Sequence, residues 1–280
     1  IYGLRNKRDC SELDWDFIGG ERENMVKKQN QTTSGTTGER QAQRLGIFGA
    51  SGCGKTTKAR ELTSGLTRVI YIDPLGEWAR EKGVKAFTDL VQLKYALRRN
   101  FAQGFKYAFI PTFGEEEREL QDLSYFLVFL QSGYSSFQHR AQLTLVVDEL
   151  DTSFPTGSMQ KNRKNGFGFL CCRGRHYGIN LIGISQRMHL VDNVFRANCS
   201  GIYLFRHAEP ADIDVGLKII GSEYRDTFRK LANYQYIYPR FVKFFFMNWG
   251  FFMKSILKIM LGSLAALYAY QYIQNLGTKK

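Results

Sequence analysis

Short unbroken apolar runs alternate with amphipathic stretches through the middle of the chain. Positions 44–48 (Arg-Leu-Gly-Ile-Phe), 68–72 (Arg-Val-Ile-Tyr-Ile), 106–110 (Lys-Tyr-Ala-Phe-Ile) and 143–147 (Leu-Thr-Leu-Val-Val) read as parallel strands covered on both faces. Between them lie helical stretches. The spacing predicts one at 57–66. A second spans 87–101, with Leu90, Leu93, Ala96 and Leu97 on one side and Lys94, Arg98 and Arg99 elsewhere. A third, at 115–134, opens acidic and turns apolar through Leu123, Phe126, Leu127 and Leu130, which suits the helix dipole. Strands alternating with helices predict an α/β fold around a central, mainly parallel sheet.

The pattern changes at both ends. Positions 1–43 are mostly polar, and 29–38 is a low-complexity run too poor in apolar residues to order itself. At the other end 241–273 is aromatic and aliphatic, and within 255–276 only Lys258 interrupts the apolar character. At 1.5 Å per helical residue that stretch can cross a hydrocarbon core of about 30 Å. The expected organisation is therefore an extension and linker at 1–43, an α/β domain at 44–240 and a membrane-associated or transmembrane helical tail at 241–280.

The chemistry enters where the first strand stops. Gly49-Ala50-Ser51-Gly52-Cys53-Gly54-Lys55-Thr56 fills every fixed position of the phosphate-binding pattern G-x-x-x-x-G-K-[ST], between a strand and a helix. Glycines let successive backbone N–H groups turn toward phosphate, and the helix that follows adds its positive end. Nucleotide contacts are expected from Gly49 through Thr56 and from Thr57. Lys55 is expected on the β and γ phosphates, and the Thr56 hydroxyl on Mg²⁺. The strand at 143–147 delivers Asp148 and Glu149 to the sheet's carboxyl edge, where open α/β sheets hold ligands. Asp148 is expected in the Mg²⁺ shell, and Glu149 is expected to polarise the water that attacks the γ-phosphate of ATP.

Three further segments carry candidate residues. Asp73-Pro74-Leu75-Gly76-Glu77-Trp78 makes a turn after the second strand; Asp73 and Glu77 either shape that turn or stand near the nucleotide. The 153–166 segment is loop-like and basic, with Lys161, Arg163 and Lys164 as candidate DNA-phosphate contacts. Arg173-Gly174-Arg175-His176-Tyr177-Gly178 then leads into an apolar strand ending at Ser185 and Gln186. Gln186 is expected at the γ-phosphate or the lytic water, and Arg173 or Arg175 is a candidate arginine finger, across a subunit boundary.

Charge sharpens the choice of partner. The 280 residues carry 39 Lys and Arg against 26 Asp and Glu, a formal net charge of +13, which favours nucleic acid or anionic lipid. The five cysteines are odd in number and lack metal-ligand spacing, so they read as reduced thiols. No apolar core follows Arg5, Lys7 and Arg8, so no secretory signal is expected there.

Together, the phosphate loop, Asp73-Pro74-Leu75-Gly76-Glu77, Val147-Asp148-Glu149 and Gly174-Arg175-His176-Tyr177-Gly178 followed by Ile184-Ser185-Gln186-Arg187 resemble the FtsK/HerA superfamily of DNA-pumping ATPases. More narrowly, the chain is similar to genome-packaging ATPases of membrane-containing icosahedral phages. The resemblance implies a RecA-like domain, a ring oligomer (a hexamer), ATP hydrolysis at subunit interfaces and double-stranded DNA driven through the ring. It assigns the family's glutamine to Gln186 and its arginine finger to Arg175. Met188 departs from the pattern, because many relatives have Pro there. Lys243, Lys254 and Lys258 crowd the amino side of the apolar tail while Lys279 and Lys280 lie at its far end, and the positive-inside rule then sets the body on the cytoplasmic side of a host membrane; an internal virion membrane is the other expected setting, with capsid-vertex or membrane proteins as further partners. Two other readings compete: a Zot-like ATPase driving filamentous-phage assembly, and a membrane-tethered nucleotide-dependent scaffold.

Overall fold

A computed structural model describes residues 42–238. The apolar tail expected at 241–280 and nearly all of the polar extension lie outside the described residues. Eight strands form one sheet: β1 Arg44–Phe48, β2 Arg68–Ile72, β3 Lys85–Phe87, β4 Phe105–Phe109, β5 Leu143–Val147, β6 Ile179–Ser185, β7 Gly201–Phe205 and β8 Tyr236–Ile237. Their order is β3-β4-β2-β5-β6-β1-β7-β8. Every pairing is parallel except β7 with β8, which sets Leu204 opposite Ile237 and Phe205 opposite Tyr236. The expected α/β architecture with a mainly parallel sheet is the one observed.

The five longer helices are α1 Lys55–Thr63, α2 Leu90–Asn100, α3 Glu116–Leu130, α4 Gly166–Arg173 and α5 Pro210–Ile220. They cover both faces, which is why the strands read as continuous apolar runs. Alternate residues of each strand feed two cores. Leu45, Ile47, Val69, Tyr71, Val146, Ile182 and Ile184 pack with Ala59 of α1 on one face. Phe48, Ile70, Ile72, Leu145, Val147 and Leu181 pack on the other with Leu93 and Leu97 of α2, Leu123 and Leu127 of α3, and Leu170 of α4. Burying one such side chain contributes about 1.5–3 kcal/mol, so this double layer fixes the sheet edges rigidly.

The expected strands and helices at 44–48, 68–72, 87–101, 106–110, 115–134 and 143–147 each appear, shifted by a few residues at most at each end. The 153–166 segment is more ordered than a basic loop. A one-turn helix, Ser158–Lys161, lies within it, and Asn165 caps α4 by accepting from the Gly168 N–H at 2.9 Å. Among the described residues no helix is long and apolar enough to cross a membrane; the span expected at 255–276 lies outside them.

Candidate nucleotide site

The phosphate loop leaves β1 at the sheet's carboxyl edge and is anchored from both neighbouring strands. Gly49 N–H donates to the Ser185 carbonyl at the end of β6, and Ala50 N–H donates to the Arg206 carbonyl after β7, at 3.3 and 2.8 Å. Gly49 has no room for a side chain, since a Cβ there would lie 2.5 Å from Phe205 Cβ and 2.8 Å from Cys53 Sγ. Gly54 adopts φ 107°, the left-handed conformation that starts α1 with its N–H groups free to face a ligand. Ser51, Gly52 and Thr57 are exposed, and Thr56 is half-buried. Cys53 turns its thiol into the core, where burial raises its pKa, so it offers the loop only its backbone. Lys55 is buried and its ammonium donates to the Ala50 carbonyl at 3.0 Å, arched over the loop it serves.

The acids arrive from strands two and three places away. The two acids of the turn after β2 divide the roles: Glu77 lies near enough to Asp148 for its charge to act there, and the turn is built by Asp73. Its carboxylate is 1% exposed and accepts from the Glu77 and Ala79 N–H groups, both at 2.8 Å, so it shapes the turn. That turn raises Trp78, whose ring stacks on Tyr71 at 4.4 Å and whose indole N–H donates to Asp148 Oδ2 at 2.9 Å. Asp148 also accepts from the Glu149 N–H at 3.0 Å. Burial pushes the Asp148 carboxyl up to about 6, and the negative charges of Glu149 and Glu77 push the same way. A buried carboxylate short of positive charge fits a cation. The described residues contain no cluster of three or more His, Cys, Asp or Glu able to hold a metal alone. Mg²⁺ binds instead through one or two protein oxygens plus phosphate and water, a role open to Asp148 and Thr56.

Glu149 sits in the left-handed region at φ 46°, a conformation uncommon for a residue with a side chain. Its Oε1 accepts from Gln186 Nε2 at 2.9 Å. The glutamine follows β6, the strand between β5 and β1, so the pair ties the end of the acid strand to the end of the loop strand's neighbour. Ser185 Oγ donates to Asp151 Oδ1 at 2.6 Å and accepts from the Arg187 N–H, fixing the backbone around Gln186.

The fold is that of the P-loop NTPases. The genome packaging NTPase B204 from Sulfolobus turreted icosahedral virus 2 aligns with this chain in its complex with ATP-gammaS at TM-score 0.55 and 16% identity, covering 70% of this chain and 91% of that one. Its complex with AMPPCP aligns at TM-score 0.54 and 15% identity, covering 71% and 92%. The N-terminal domain of zonular occludens toxin from Neisseria meningitidis aligns at TM-score 0.36 and 18% identity, covering 61% and 78%. No family model matches the chain, and no curated protein matches it by sequence.

The P-loop fold gathers most of the predicted residues. Gly49 to Thr57, Asp148, Glu149 and Gln186 meet at the carboxyl edge. Arg175 does not join them within one chain. It lies exposed in the turn Gly174–Tyr177 that precedes β6, at the amino edge. A seven-residue strand at about 3.3 Å per residue separates it from Gln186 by roughly 20 Å. Met188, the position that departs from the family pattern, is fully buried in the core.

Lys161, Arg163 and Lys164 are exposed and lie on a segment tied to the one that follows Gln186. Pro155 pairs with Val191, Thr156 N–H donates to the Leu190 carbonyl at 2.7 Å, and Asp192 Oδ2 accepts from Gly157 and Met159 N–H groups. Sequence reasoning missed two contributors. Trp78 closed a recognised motif, but nothing local linked it to Asp148. Asp151 follows the acid pair, yet its tie to Ser185 needs β5 beside β6.

Proposed function

We propose that the chain is an ATPase that forms a ring, a hexamer, and drives double-stranded DNA through it, packaging a viral genome into a preformed capsid. The observation that carries this reading is the 2.9 Å contact between Glu149 and Gln186 at the phosphate loop. It joins a hydrolytic carboxylate to a residue able to report what happens there. Phosphates bind the loop N–H groups, and Lys55 exchanges the Ala50 carbonyl for the β and γ phosphates. Thr56 and Asp148 hold Mg²⁺, which neutralises charge on the phosphates when bound. Glu149 accepts a proton from the attacking water while Gln186 positions that water or the γ-phosphate.

Loss of γ-phosphate then acts along the chain. Gln186 leads into 188–192, which is hydrogen-bonded to 154–159, and that segment carries Lys161, Arg163 and Lys164. These three contact DNA phosphates and bind without sequence preference, as a translocating motor needs. Exposed Arg175 serves a neighbouring subunit's site as the arginine finger. The 241–280 tail mounts the ring on a host membrane, facing the cytoplasm, or on an internal virion membrane, beside capsid-vertex or membrane proteins.

The test is ATP turnover with and without double-stranded DNA across a salt series. Turnover should rise with DNA, and the stimulation should fade with salt. Replacing Lys161, Arg163 and Lys164 together by Ala should leave the basal rate intact and reduce the salt slope of DNA binding by about 3. A basal rate indifferent to DNA would point to the scaffold instead.

A further inference from the structure

A nucleotide seated on 49–56 has its γ-phosphate toward Asp148, Glu149 and Gln186, which follow β5 and β6. β1 has those strands on one side and β7 and β8 on the other. The nucleoside end of a bound triphosphate therefore runs toward β7 and β8, and Tyr234 stands there. Its backbone N–H donates to the Cys53 carbonyl inside the phosphate loop at 2.8 Å. Its ring lies on the loop itself, since a Cβ added to Gly54 would be 2.7 Å from Tyr234 Cδ1. Yet Tyr234 is 68% exposed, so the rest of its ring faces solvent beside the amides that receive phosphate.

The backbone holds that ring at some cost. Tyr234 has φ 65°, in the left-handed region where an aromatic residue persists only when its surroundings impose it. The surroundings do so from both sides. Arg206, whose carbonyl accepts from Ala50, donates through Nε to Asn233 Oδ1 at 3.3 Å. Two residues on, the Tyr236 ring packs against Tyr203 at 5.2 Å and receives the Lys58 ammonium at 4.9 Å, in the short antiparallel pairing of β8 with β7. The backbone thus sets an aromatic side chain on a phosphate loop with much of its apolar surface left open.

We infer that Tyr234 is the platform on which the base of the bound nucleotide stacks. The inference rests on the nucleotide reading and adds to it the chemical class of the group beyond the phosphates, a planar heteroaromatic base. Every base has a π-face, so the platform distinguishes nucleotide from bare polyphosphate more sharply than one base from another.

Affinity of the full chain for Mg-ATP and for Mg-tripolyphosphate, measured by calorimetry, tests this. Tyr234→Ala should weaken ATP about 10-fold and leave tripolyphosphate unchanged, while Tyr234→Phe keeps the wild-type affinity for both. Unchanged ATP affinity in Tyr234→Ala overturns the platform. Equal weakening of both ligands overturns it too, because the ring would then only brace the loop. Lys55→Ala separates the two readings: it should weaken both ligands. If wild type binds neither, the nucleotide reading itself fails and the platform with it.

Discussion

The two flanks of β1 are built from different materials. On the β5 and β6 side, polar side chains meet in hydrogen-bonded pairs: Gln186 with Glu149 and Trp78 with Asp148 at 2.9 Å, Ser185 with Asp151 at 2.6 Å. On the β7 and β8 side, Tyr203, Phe205, Tyr236 and Tyr238 pack ring against ring at 4.5–5.3 Å. Lys58, 4.9 Å from the centre of the Tyr236 ring, is the cation among them. One flank fixes directions and charges to within a hydrogen bond; the other offers broad, apolar, pre-set surface. A reaction that breaks a phosphate bond needs the first, and holding the remainder of the nucleotide needs the second.

If that division is right, mutations on the two flanks separate in kinetics. Glu149→Gln should keep Mg-ATP binding and lower turnover by about 10²–10⁴-fold, the usual worth of a positioned general base. Gln186→Ala should also reduce turnover, and the double variant should lose little beyond Glu149→Gln, because the residues act as a pair. Steady-state kinetics beside binding measurements decide it. Unchanged turnover in Glu149→Gln removes the catalytic assignment, and a pure rise in KM would erase the contrast with the Tyr234 flank.

The reaction flank was largely legible in the chain because its rules are local. A phosphate loop is contiguous, and a buried strand ending in Asp148-Glu149 must deliver both to the carboxyl edge. Gln186 follows from the same rule applied to β6. Arg175 follows a different rule: its motif lies on the amino side of that strand, at the sheet edge opposite its own subunit's loop, and a role at a neighbouring subunit's site is not a matter of strand order within one chain. The base flank had no such signal. β3, β7, α5 and β8 were not anticipated, and Tyr234 meets the loop just before a two-residue strand that pairs with β7. Pattern reading needs more residues than that to register a period.

The reaction flank also stores a penalty that the aromatic flank lacks. Asp148 has its carboxyl raised to about 6 from an unfolded value of 3.8. The folded state therefore holds this proton more tightly, and its contribution is present below pH 3.8 and lost as pH rises through about 6. At pH 7 the ligand-free protein pays about 3 kcal/mol for the buried charge. Asp148→Asn should recover up to that amount in chemical denaturation at neutral pH while losing Mg-ATP binding. Burial pulls His207 the other way, down to about 4 from 6.5, so its contribution is lost as pH falls from 6.5 toward 4. It is common to both proteins, so the variant-minus-wild-type difference isolates Asp148. That difference should grow from near zero at pH 4 to its full value by pH 7. A variant less stable than wild type at pH 7 contradicts the stored penalty.

The smallest effect tests how far the reaction flank extends. Trp78 belongs to the turn after β2 rather than to the phosphate loop, yet its N–H is one of the two hydrogen bonds that relieve Asp148. Trp78→Phe keeps a ring to stack on Tyr71 and face Arg60, whose guanidinium lies 5.6 Å from the indole centre. What it removes is the donor to a buried carboxylate, worth about 1–2 kcal/mol. Ligand-free stability should fall by that amount, and the Mg²⁺ concentration for half-maximal turnover should move with KM for ATP nearly fixed. The same change made on Asp148→Asn should cost less, because the acceptor is then neutral. A double-mutant cycle reads the difference directly. If the penalty is equal in both backgrounds, Trp78 only fills space, and the reaction flank ends at β5.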